Sequence, residues 1–139
     1  MLRVLILCLL PLPAFAWTFS PVPICTLDHA GSTASIQVTY DPNTTLYSMH
    51  VDRAGGWPEA RTLSVTFAGA ATFTITTTRH QIAGQRVSVT DRGFGNVLSG
   101  LAAGGTATVV LGDVAEVFDL TGAAPQVARF DACPTEGLA

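Results

Sequence analysis

The chain's three histidines, three cysteines and ten acidic residues are where any chemistry would have to start. Hydrolysis by a side-chain nucleophile needs a hydroxyl or thiol beside a base. Ser99 stands in Leu98-Ser99-Gly100 without a glycine two residues before it, so the G-x-S-x-G elbow is missing. His29, His50 and His80 are isolated from one another, and no H-E-x-x-H pairs two imidazoles for zinc. His50-Val51-Asp52 places an imidazole and a carboxylate on one face of a strand, because side chains repeat every two residues, and there the pair reads as a solvated ion pair. Asp91-x-Gly93-x-Gly95-Asn96 has the outline of a calcium loop. Glycines occupy two of its ligand positions and the bidentate glutamate is absent, so a glycine turn is the better account. No catalytic residue, metal ligand or cofactor follows from these spacings.

The constellation with most to offer is Arg79-His80 after a threonine-rich strand, with Asp91, Arg92 and Asn96 one strand later. If those strands are neighbours, the five side chains gather at one end of a sheet, where loops commonly carry binding residues. They form the candidate binding surface. Its presentation depends on pairing register, since a slip of one residue turns every side chain to the other face. Asn43-Thr44-Thr45 matches a glycosylation acceptor, which has meaning only in a eukaryotic secretory pathway.

Positioning those groups falls to strands. Thr33 to Tyr40 alternates through Ile36, Val38 and Tyr40, and Thr45 to Arg53 through Tyr47, Met49 and Val51, with the turn Asp41-Pro42-Asn43-Thr44 between them. Arg61 to Phe67 and Ala71 to Thr78 form a second pair around Ala68-Gly69-Ala70. The threonines of Thr72 to Thr78 suit a solvated face. Arg86 to Asp91 is a further strand. Val97 to Ala102 fits either one or two helical turns capped by Asn96 or another strand. Gly112-Asp113 joins Thr106–Leu111 to Val114–Leu120 as a two-residue hairpin. After Pro125, Val127, Phe130 and Cys133 recur every three residues, which predicts a short terminal helix with the cysteine facing the core. The pattern predicts a mainly β fold, an antiparallel two-layer sandwich or flattened barrel of about seven or eight strands with a C-terminal helix.

The amino terminus points to export. Arg3 precedes the apolar run from Val4 to Leu12, and Ala14-Phe15-Ala16 is an A-x-A cleavage pattern, so residues 1–16 read as a removed signal and 17–139 as one β-rich domain. Cleavage removes Arg3 and leaves six arginines against ten acids, a formal charge of -4. With no lysine anywhere, there is no positive field for a nucleic acid, and no later run is apolar for long enough to span a membrane. Cleavage also removes Cys8. Cys25 and Cys133 then form an even pair, which in an exported protein implies a disulfide.

The tail Phe118-x-Leu120-x-Gly122-Ala123 followed by Phe130-x-x-Cys133, with a signal peptide and Trp17 ahead of Cys25, is similar to small exported proteins of alphaproteobacteria of the invasion-associated locus B family. Members of that family usually carry further cysteines in mid-chain, whereas this chain has none between Cys25 and Cys133. The resemblance implies a periplasmic β-rich module from a Gram-negative bacterium, and the family's host-cell entry role is not carried over. The functional expectation is a non-catalytic periplasmic or secreted module binding a protein or small molecule. The alternatives are a small hydrolase assembled near His80 and Asp91, distinguished by convergence of those residues in one pocket, and a small-ligand carrier with an apolar cavity.

Overall fold

The computed structural model describes residues 16–136, so the leader expected over residues 1–16 lies, apart from Ala16, outside the described residues. Ten strands and two helices follow in chain order: β1 Thr18–Ser20, β2 Cys25–Ala30, β3 Ala34–Asp41, β4 Leu46–Arg53, β5 Leu63–Ala68, β6 Thr72–Thr77, β7 Gln81–Ala83, β8 Arg86–Asp91, α1 Gly95–Ala102, β9 Thr106–Leu111, β10 Val114–Asp119 and α2 Ala123–Glu136. They form two antiparallel sheets, one ordered β1-β2-β3-β4-β8-β7 and the other β10-β9-β5-β6. The protein is thus mainly β and sandwich-like, with a C-terminal helix.

Alternation decides which side of each strand is buried. Ile36 and Val38 of β3 are buried while Ser35, Gln37 and Thr39 between them are half-buried, and Ala107, Val109 and Leu111 of β9 are wholly enclosed. Both expected hairpins form. Tyr40 pairs with Tyr47 across the β3–β4 turn, where the Asn43 N–H donates to Asp41 Oδ1 at 2.9 Å. Leu111 pairs with Val114 across Gly112, whose φ of +61° needs a residue without a Cβ.

Three expectations are corrected. There are ten strands among the described residues, not seven or eight, because β1 and β7 are three-residue edge strands too short for periodicity to reveal. The ambiguous segment is helix α1, with Leu98 and Leu101 buried at helical spacing. Asn96 does not cap it: Phe94 occupies the N-cap position without a side-chain hydrogen bond, and Asn96 lies in the first turn. Helix α2 starts three residues before Gln126, with Pro125 in the first turn, where its missing N–H costs nothing. Its stripe Val127, Phe130 and Cys133 is buried as the spacing required, and the Cys25 and Cys133 sulfurs are at bonding distance, 2.05 Å.

The core lies between the sheets. Helix α2 packs across β1 and β2 and against α1, with the Arg129 guanidinium 5.0 Å above the Phe19 ring. The inward side also holds a buried carboxylate. Glu116, on the inward row of β10, accepts from Arg53 Nε at 2.9 Å and from Thr33 Oγ1 at 2.6 Å, which satisfies a buried carboxylate and clasps β10 to the end of β4.

Candidate functional site

Strand β6 is hydrogen-bonded only to β5, so its inward residues Phe73, Ile75 and Thr77 are only half covered. Opposite them lie β4 and β8, whose register sets Met49 beside Val89 and Tyr47 beside Asp91 on the inward side. Between the two runs a half-enclosed cleft of about 490 Å³, within the range of small-ligand sites. Leu63, Val65, Ile75, Met49 and Val89 give it an apolar lining, and Thr76, Thr77, Asp91 and Asn96 supply polar groups. Its end wall is the turn into α1. There Phe94 is buried and stacked on Tyr47 at 5.6 Å, fixing Asn96 and Val97 beside the cleft. Asp91 is exposed, and its Oδ1 accepts the Arg92 N–H at 2.6 Å.

The five residues of the expected binding surface are divided by this arrangement. Asp91 and Asn96 line the cleft together. His80 lines a separate depression with Glu59, Ala60, Arg61 and Ile82. There its Nε2 donates to the Ala60 carbonyl at 2.9 Å, and its Nδ1 is buried without a partner. Arg92 borders a third hollow beside Tyr40 and Tyr47, and Arg79 is exposed just beyond β6. The reason is topological: β6 pairs with β5 while β8 pairs with β4 and β7, so the two strands belong to different sheets. His80 and Asp91 therefore do not converge in one pocket. The sequence reading missed the apolar half of the cleft, because Ile75 and Val89 carry the same alternation as fully covered core residues.

Polar pairs line the outer face of the six-stranded sheet. Arg86 grips Asp52 through two bonds of 2.9 Å, so the expected His50–Asp52 pair is replaced by a cross-strand one. That guanidinium holds the Asp52 carboxyl below its usual range. His50 Nδ1 lies 2.7 Å from Ser88 Oγ, and burial, helped by Arg86, pushes the imidazole below its ordinary value. A neutral imidazole beside a hydroxyl is half of a nucleophilic site. The other half is an oxyanion hole, and around this pair β4 and the Arg86–Ser88 part of β8 are paired on both sides, which commits those backbone N–H groups to the sheet. On the outer face of the other sheet, Thr66 and Thr74 share a hydroxyl bond of 2.9 Å. Among the described residues no group of three or more His, Cys, Asp or Glu side chains forms a metal cluster, and no helix is long and apolar enough to cross a membrane.

His29 is the most enclosed of the histidines: it is buried, stacked 4.6 Å from Trp17 and edge-on to Phe118. Burial drives its pKa down, against the opposing pull of the Ala16 carbonyl and Asp119. With His29 and His50 both depressed, the stability these two contribute is fully present above the unfolded imidazole pKa of about 6.5. It is lost as the pH falls below that value, because the unfolded chain then binds protons that the native chain refuses. Thermal melts between about pH 7 and about pH 5 should show this acid limb. His29→Phe, which keeps a ring on Trp17, should flatten it; an unchanged limb would exclude His29 as its source.

Comparison of the chain with protein-family models, with curated proteins and with solved structures finds no match in any of the three.

Proposed function

We propose that the protein is an exported, disulfide-stapled binding module, non-catalytic, that receives its ligand in the cleft between β6 and β8. The observation that carries this reading is the cleft itself, an apolar lining with a few polar groups, which is the composition of a recognition site. Export to the periplasm or beyond is supported by the A-x-A pattern ahead of Trp17 and by bonded cysteines, which are compatible with an oxidising compartment. The resemblance of the tail to invasion-associated locus B proteins agrees with that location. The alternative of a hydrolase near His80 and Asp91 has less support, since those side chains line separate hollows.

The test uses protein recovered from the periplasm after expression with its own leader. Mass measurement should place Trp17 at the amino terminus. The apolar dye anilinonaphthalene sulfonate should bind with enhanced fluorescence. Ile75→Asp, which puts a charge into the cleft, should abolish that signal, and Thr74→Asp, on the outer face of the same strand, should leave it intact. Loss of dye binding in both variants or in neither would refute the cleft as the ligand site.

A further inference from the structure

The four sheet edges are unequally protected. A free edge presents unpaired backbone N–H and C=O groups and invites another strand, and proteins guard against this with short strands, charges or proline. Strands β1 and β7 are only three residues long. Strand β10 carries an inward glutamate and ends in Asp119. Strand β6 has no such guard. Its sequence Thr72-Phe73-Thr74-Ile75-Thr76-Thr77 holds no charge and no proline, is β-branched or aromatic throughout, and pairs on one side only. The same strand forms one wall of the cleft through Ile75, Thr76 and Thr77.

An open edge and an apolar trough along the same strand are complementary to one kind of ligand. An extended main chain satisfies the edge by hydrogen bonding, and its side chains alternate, so every second one enters the cleft. Charge narrows the choice further. Among the described residues, Asp91 is the only charged side chain lining the cleft. The chain as a whole has an excess of acids, which favours a basic partner over a second copy of itself. We propose that β6 accepts an extended peptide segment of another protein as a fifth strand of the four-stranded sheet, with alternate apolar side chains in the cleft and a lysine or arginine beside Asp91. This rests on the cleft being the ligand site, as proposed above, and adds what the ligand is.

The experiment titrates isotope-labelled exported protein with the blocked peptide Arg-Val-Thr-Val-Thr-Val and follows amide hydrogen exchange. The outward amides of β6 should slow by about ten-fold or more on saturation. A peptide N-methylated at alternate residues, unable to pair with the edge, should give no protection. Asp91→Asn should weaken the arginine peptide by about two- to five-fold, as for an exposed ion pair, and leave a norleucine analogue unaffected. If the dye still binds in an Ile75-dependent way but no peptide protects β6, the cleft is a small-ligand site and the strand proposal falls. Protection of β6 that rises with protein concentration alone, with a dimer in sedimentation, would make the occupant a second copy and overturn the peptide. Failure of dye and peptide together would remove the cleft reading on which the proposal stands.

Discussion

Replacing Cys25 and Cys133 with alanine should lower stability by about 4 to 5 kcal/mol, because the bridge closes a loop that the unfolded chain would otherwise be free to open. The two cysteines are 108 residues apart, and the cost of closing a loop rises with its length, so the bridge stands near the upper end of what one disulfide contributes. For a domain of this size the loss translates into a fall of roughly 15 °C in the unfolding midpoint. The bridge joins the start of β2 to a buried position of α2, and both cysteines are buried. Urea titrations of the double variant, and of the native protein under reductant, should agree with each other. A loss of only about 1 kcal/mol, well under the loop-closure value, would show that Val127 and Phe130 hold α2 in place without the sulfur bond, or that the unfolded chain keeps its ends together.

That bridge was legible in the sequence because it needs only counting: two cysteines lie beyond the expected leader, and the second sits on an apolar helical stripe. The hairpins at Asp41–Thr44 and Gly112–Asp113 were legible because a turn and its flanking alternation are local. What escaped was everything set by which strands meet. Periodicity shows that Val89 and Asp91 share one face of β8 and that Phe73 and Ile75 share one face of β6, but it does not say that these faces oppose one another across a gap. The expected surface was conditional on β6 and β8 being neighbours, and the two strands lie in different sheets. Glu116 shows the same limit from the other side. An acid on the inward row of a strand violates the alternation, and only its long-range partners Arg53 and Thr33 make it tolerable. Residue type favours Asn96 as a cap if the segment is a helix rather than a strand, whereas burial of Leu98 and Leu101 settles the helix and its start.

Phe67→Ala should cost about 3 to 5 kcal/mol, the range for emptying a wholly buried aromatic site. It should also disturb the cleft. Phe67 lies on the inward row Phe118, Ala107, Phe67 and Phe73, with its ring 5.2 Å from that of Phe73. Above it rests the backbone of α1, so close at Gly100 that an added Cβ would fall 2.5 Å from Phe67 Cγ. Gly100→Ala alone should therefore destabilise, with an overpacking cost of about 1 to 3 kcal/mol that exceeds or matches the roughly 1 kcal/mol gained in helix propensity. In the double variant the new methyl enters the space left by the ring, so the combined loss should be smaller than the two single losses added, by about 1 kcal/mol or more. The link to the proposed ligand site runs through α1. Its first turn supplies Asn96 and Val97 to the cleft, and a helix that has lost its seat on Phe67 no longer holds them in register. Phe118→Ala is the control: an equally buried phenylalanine, on β10 at the far edge of the sheet from β6, whose removal should cost a similar amount of stability. Dye affinity should fall in Phe67→Ala and hold in Phe118→Ala. Equal losses in the two would mean that binding follows global stability, and the positioning of the cleft by α1 would have to be given up.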